Sequence, residues 1–248
     1  MFDADALRSL TTTAIAGLST VLGVLPVFFG KLKSKRMLII SLAFAAGIML
    51  SVSLAELFPD GRASCAEALG KTLGTLAASA AFAVGAGASA AIERFVPEGT
   101  DRFARTGLIS ALCIGLHNFP EGIATFMSGY GASPELGVYV AVAIALHNIP
   151  EGVSVALPIY CSGGGRRKAF LYTLLSGITE PIGALAAFIL FRGLINGLTL
   201  GLTLAFISGI MVYIALTELI PTALSGGARY AALPLMTGMI SMMLVKAL

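Results

Sequence analysis

Charge is what this sequence has least of. Asp, Glu, Lys and Arg supply only 12% of its 248 residues, against 57% hydrophobic. A soluble domain of this length must cover its surface with polar groups and carries about twice that charge, so a water-soluble globule is excluded. Cysteine is scarce too. Cys65, Cys113 and Cys161 show no paired spacing, which excludes both a disulfide framework and a zinc-ribbon site. Lys and Arg are missing from the interior of the apolar runs, and no H-E-x-x-H motif occurs, which removes the commonest metalloprotease signature.

Lipid is the solvent that suits what remains. A hydrocarbon core of roughly 30 Å is crossed by about 20 mostly apolar helical residues. Such segments run near 10–30, 37–59, 70–92, 107–129, 135–157, 168–191, 199–221 and 229–247. They predict an all-α membrane protein of eight transmembrane helices, forming a single transmembrane domain over residues 1–248. Glycines such as Gly47, Gly177 and Gly209 lie inside these runs, where small residues let helices approach closely. Asp3, Asp5 and Arg8 precede the first run where a signal peptide would carry net positive charge, so that run reads as a true span.

Orientation follows from the loops. The odd-numbered loops hold Lys31, Lys33, Lys35, Arg36, Arg94, Arg102, Arg105, Arg166, Arg167, Lys168 and Arg229. The termini and even-numbered loops hold only Arg8, Arg62, Lys71, Arg192 and Lys246. The positive-inside rule then puts both termini outside the cytoplasm. The basic loops are a topology signal and call for no nucleic-acid partner.

Two repeats organise the chain. FAAGIMLSVSLAELFP at 44–59 matches FISGIMVYIALTELIP at 206–221, an offset of 162, and AGLSTVLG at 16–23 loosely matches SGITEPIG at 176–183. Helices 1–3 should therefore correspond to helices 6–8 with opposite topology, an inverted repeat around the central pair 4–5. Transporters built this way place their substrate near the midplane, between the repeats. The second repeat is sharper: LHNFPEG at 116–122 and LHNIPEG at 146–152, in consecutive antiparallel spans.

These motifs bury polar groups where lipid penalises them. Glu121, Glu151 and Glu180 fall inside spans without basic partners, and each costs at least ~2.5 kcal/mol if ionised alone. His117, Asn118 and Glu121 share one helix face by their i,i+3 and i,i+4 spacing, and His147, Asn148 and Glu151 repeat that face. Two imidazoles, three carboxylates and two amides can hold one or two divalent ions. Pro120, Pro150 and Pro181 each free a carbonyl four residues back, adding backbone oxygens nearby. Imidazole with carboxylate suits Zn²⁺, Fe²⁺, Mn²⁺, Co²⁺ or Cd²⁺; the missing thiolate cluster argues against Cu⁺. Cys113, one turn before His117, reads as a small buried filler.

The duplicated H-N-x-P-E-G, the S-G-I-T-E-P of helix 6 and both copies of G-I-M…E-L-x-P closely resemble the ZIP family, especially its bacterial broad-specificity branch. The resemblance covers essentially the whole chain. It implies divalent-metal transport toward the cytoplasm across the bacterial inner membrane, with zinc or a similar ion as cargo and no resident cofactor. It also implies a midmembrane binuclear site, with His117, Glu121, His147 and Glu151 as one subsite. Asn118, Asn148 and Glu180 complete the other, with Glu121 and Glu151 bridging. An elevator-like motion of helices 1, 4, 5 and 6 against 2, 3, 7 and 8, often in a homodimer, is implied as well. The histidine-rich loop that many members carry between helices 3 and 4 is missing from ERFVPEGTDRFAR.

Two other activities compete with transport by a carrier. A metal-selective cation channel would share the same ligands. A membrane-embedded hydrolase would need an open metal position and a general base, and the polar residues are already taken up as ligands. Glu56 and Glu218, equivalent in the 162-residue repeat, are each expected near the end of a span, guarding opposite mouths of one pathway.

Overall fold

The computed structural model describes residues 3–29, 35–97, 99–130, 134–191 and 196–247, and every regular element among them is helical. Lys31, Lys33 and Arg192 of the charge count above lie outside the described residues. Helix α1 (Ala4–Leu18) continues through a 3₁₀ turn (Ser19–Val24) into Leu25–Phe29. Helix α2 (Lys35–Val52) passes through a π-turn (Ser53–Leu57) into Phe58–Leu69. Helices α3 (Lys71–Glu93), α4 (Arg102–Gly129) and α5 (Pro134–Ile159) follow. Helix α6 (Gly165–Gly177) is interrupted at Ile178 and resumes as Thr179–Ala186. Helix α7 (Gly197–Ile214) runs through a second π-turn (Ala215–Leu219) into Ile220–Leu224, and α8 spans Ala228–Ala247.

Local chemistry sets the starts. Asp3 accepts from the Ala6 amide at 2.7 Å, and Asp101 accepts from the Phe103 and Ala104 amides at 3.0 and 3.1 Å. Asn196 and Thr199 close a capping box. Each side chain satisfies amides that a helix start otherwise leaves bare. Gly163 (φ 92°) and Gly165 (φ 73°) turn the chain between α5 and α6, in a backbone region that residues with a Cβ rarely enter.

Six stretches of the described residues are long and apolar enough to cross a membrane: Ala4–Phe28, Lys35–Leu69, Lys71–Glu93, Ala141–Leu190, Gly197–Leu224 and Ala228–Val245. The fourth takes in most of α5 and all of α6. Helix α4 is absent from this set, although its 28 residues are long enough; Arg102, Arg105 and the His-Asn-Glu motif lower its hydropathy. The protein is an integral membrane protein. Leu73, Leu76 and Val84 on α3, and Leu233, Met236, Ile240 and Leu244 on α8, are exposed. Apolar side chains in that number, on whole helix faces, suit contact with acyl chains.

The helices pack as two groups. Helix α2 lies on α8 and α3 on α7, while α1 lies on α5 and α4 on the second half of α6. Close backbone approach holds these pairs. A Cβ on Gly47 would stand 2.1 Å from the Leu235 carbonyl oxygen, and one on Gly209 would stand 2.0 Å from that of Phe82. The spans expected at 37–59 and 199–221 end too early. The π-turns carry both helices past Pro59 and Pro221, because the wider turn absorbs the hydrogen bond that proline cannot donate. Glu56 therefore sits within a long helix and not at its end.

Candidate metal centre

All seven residues singled out in the motifs are buried, none more than 5% exposed. They come together where α4, α5 and the break in α6 meet. His117 Nε2 lies 3.2 Å from Glu151 Oε2, and His147 Nε2 lies 2.8 Å from Glu121 Oε1. Each imidazole thus faces the carboxylate of the other motif. The i,i+4 spacing puts His and Glu on one face of each helix, and the antiparallel crossing sets each pair against its copy.

The two asparagines are anchored by backbone from neighbouring helices. Asn118 Nδ2 donates to the Ser176 carbonyl at 3.1 Å, and Asn148 Nδ2 donates to the Ala16 carbonyl at 3.0 Å. Asn148 Nδ2 also donates to Glu180 Oε2 at 2.7 Å. With the amide nitrogens committed to these acceptors, the amide oxygens are left to the centre. Glycine brings the helices this close. A Cβ on Gly122 would stand 2.0 Å from the Glu180 carbonyl oxygen, and one on Gly152 would stand 1.8 Å from that of Thr20.

The centre is rich in unused lone pairs. His117 Nδ1, Asn118 Oδ1, Glu121 Oε2, Asn148 Oδ1, Glu151 Oε1 and Glu180 Oε1 are buried and lack a hydrogen-bond partner among the described residues. An unpaired buried polar atom costs about 1–3 kcal/mol, so six in one place require compensation. All six can donate a lone pair to a cation. The side chains are paired rather than collected: no three His, Cys, Asp or Glu side chains among the described residues already surround one point. The His–Glu hydrogen bonds hold them apart in two couples.

A cavity of about 390 Å³ leads to this centre. Glu121 and His147 are among its lining residues, as are Ala124, Thr125 and Ser128 of α4, and Glu56 and Asp60 of α2. Glu56 thus stands on the cavity wall, where the repeat alone had suggested a mouth. In the other direction along α4, Ile109, Ser110, Cys113 and Ile114 are fully buried, and none of them lines the cavity. The cavity thus reaches Glu121 and His147 from the Ser128 end of α4, while the stretch of α4 before His117 is packed.

Glu218 sits in a second polar cluster. It accepts from Thr106 Oγ1 at 3.1 Å and lies 3.9 Å from Arg105 Nε, while Thr106 and Thr222 share a hydrogen bond of 2.9 Å. Arg105 also pairs with Glu93, which accepts from the Tyr213 hydroxyl. Motif reading misses this cluster, because Arg105 enters it only as loop charge. Its signals in the sequence are Glu218, which the 162-residue repeat singles out, and Glu93 and Arg105 at the two ends of the stretch 93–105.

A membrane-spanning helical bundle with buried nitrogen and oxygen donors beside a cavity fits a membrane protein that handles cations. A sequence model of the family described as ZIP zinc transporter matches residues 98–246. The zinc transporter ZupT of Chlorobaculum parvum is 44% identical over 97% of this chain and 96% of its own length. The ZupT proteins of Clostridium perfringens and Streptococcus mutans are each 40% identical, over 96% and 95% of this chain and 94% and 93% of theirs. The chain belongs to the ZIP zinc transporter family, whose members are transporters and not enzymes.

Proposed function

We propose that this protein carries divalent transition-metal ions, Zn²⁺ foremost, across the bacterial inner membrane into the cytoplasm. The observation that supports this most directly is the set of six orphaned lone-pair atoms beside two crossed His–Glu couples, one of which, His147 with Glu121, lines a cavity. A divalent ion entering there would break the His–Glu hydrogen bonds and draw the four side chains inward. The imidazole–carboxylate mixture suits Zn²⁺, Mn²⁺, Fe²⁺, Co²⁺ and Cd²⁺.

The same geometry supports a binuclear arrangement. His117, Glu121, His147 and Glu151 form one subsite, and Asn118, Asn148 and Glu180 complete the other, with Glu121 and Glu151 between them. Two dications bring four positive charges against three carboxylates, which nearly neutralises the centre.

The whole chain, 1–248, acts as one domain of eight spans with an inverted repeat. The two π-turns (53–57 and 215–219) stand 162 residues apart, the same offset as the sequence repeat. Gly47 of α2 against α8 and Gly209 of α7 against α3 show the same offset and meet their neighbours alike. Asn118 to Ser176 and Asn148 to Ala16 is a further reciprocal pair. Both termini lie outside the cytoplasm, the two helix groups move against each other, and the working unit is a homodimer. A cavity open on one side favours alternating access over a channel.

Uptake into proteoliposomes tests the activity. Saturable, zinc-competed uptake of Cd²⁺ and Mn²⁺ is expected, without unitary currents in bilayer recordings. Discrete single-channel openings would replace the carrier reading, and no uptake of any of these ions would remove metal transport altogether.

A further inference from the structure

Within the transport reading, the cluster around Glu218 has a place in the cycle that the metal centre does not explain. It lies at the start of α4, beside the basic loop 94–105. The cavity opens along the other end of the same helix, at Ala124, Thr125 and Ser128. Thr106 and Glu121 are separated by 15 residues, about 22 Å of helix, and Ile109, Ser110, Cys113 and Ile114 pack the stretch between them. The cluster joins the two helix groups: Arg105 and Thr106 belong to α4, Glu93 ends α3, and Tyr213, Glu218 and Thr222 belong to α7 and its continuation. Arg102 Nη2 adds a bond to the Pro221 carbonyl at 2.7 Å. The guanidinium bridges two carboxylates, the half-buried Glu93 and, at 3.9 Å, the buried Glu218, so it touches α3 and α7 at once.

The two ends of the pathway differ. Glu56 is the repeat counterpart of Glu218, yet it lines an open cavity. Arg105 maps by the 30-residue offset of the duplicated motif (117 to 147) onto position 135, which is a glutamate in the sequence. The duplicated motif therefore supplies no second guanidinium at the corresponding place. A closure built around this arginine belongs to the basic-loop side.

We propose that Arg105 is a positioning residue of the transport cycle: bound by Glu93 and Glu218, it latches α4 to α3 and α7 and holds the ion-free carrier shut toward its basic-loop face. Parting of this latch frees α4 to slide and opens the way past Cys113. The bias it supplies is one-sided, so the ion-free carrier rests with its cavity open toward Glu56 and Asp60.

Cys113 is a built-in reporter, fully buried between latch and centre. In a Cys65→Ser, Cys161→Ser background, labelling by a membrane-impermeant maleimide is measured in chelator-treated proteoliposomes. A parallel set carries Ser128→Cys as the cavity reporter, with Cys113→Ala. Arg105→Gln should raise Cys113 labelling at least tenfold and lower labelling of the cavity reporter at least threefold, while Arg105→Lys stays within twofold of the parent at both. Glu93→Gln, which keeps the arginine, should shift both reporters in the same direction by less. Unchanged labelling at both positions in Arg105→Gln and Glu93→Gln, or Lys behaving as Gln, overturns the latch. Because no metal is present, this outcome is separable from the uptake assay: failed uptake by the parent protein would sink the transport reading and leave the labelling result standing.

Discussion

At the scale of single residues, the centre depends on what each side chain leaves unused. Glu151 illustrates this. Its Oε2 meets His117 Nε2 at 3.2 Å, and its Oε1 has no partner among the described residues. Replacing it by Ala removes one of three carboxylates and strands His117, at a cost of about 1–3 kcal/mol for the ring nitrogen left unpaired. Glu151→Ala is expected to insert and elute as the parent does by size exclusion, with metal uptake at background. Near-normal uptake by a correctly folded variant would count against a carboxylate-bridged centre. The pairings Asn118–Ser176 and Asn148–Ala16 act differently, since they aim an amide oxygen and contribute through orientation.

At the scale of helices, glycine decides how near the ligand-bearing segments come. Gly152 directly follows Glu151, and any Cβ there would overlap the Thr20 carbonyl. Gly152→Ala must push α5 away from α1, and overpacking of this kind costs about 1–3 kcal/mol. A lowered melting temperature of the detergent-solubilised protein is expected, together with weakened metal binding. Gly87→Ala on α3 is the control: nothing lies within 4 Å of the added carbon, so stability should hold or rise slightly. Equal losses in both variants would count against close approach as the cause, since helix propensity alone favours Ala at either position. The π-turns are the other device at this scale. They place Glu56 and Glu218 mid-helix, one on a cavity wall and one inside a hydrogen-bonded cluster.

At the scale of the whole molecule, the two repeat-related glutamates do unlike work because the two faces of the bundle are in unlike states. Glu56 and Asp60 face the cavity, where low-dielectric walls focus their field on an approaching cation. Glu56→Gln should raise the apparent KM for uptake at low ionic strength, leave the maximal rate nearly unchanged, and lose its effect as salt screens the field. Glu218→Gln should act through the conformational balance instead, altering the maximal rate with an effect that persists at high salt, since it loosens the Arg105 cluster. Matching effects of the two substitutions in initial-rate kinetics at low and high salt would reject this division.

The membrane class, the approximate spans, the charge asymmetry of the loops and the seven polar residues of the proposed centre are legible in the sequence by itself. Hydropathy and helical spacing are local properties, and lipid tolerates buried carboxylates so poorly that three of them announce a site. The crossed pairing of His117 with Glu151 and His147 with Glu121 is a matter of tertiary structure, because it depends on how α4 and α5 meet. So are the continuation of α2 to Leu69 and of α7 to Leu224, which turn on π-turns that no composition rule signals. Glu93, Arg105 and Glu218 are separated along the chain, and only packing brings them into one cluster. Which end of the bundle carries the cavity is likewise decided in three dimensions, since the 162-residue sequence repeat reads almost alike in both copies, and the balance rests on which side closes its contacts.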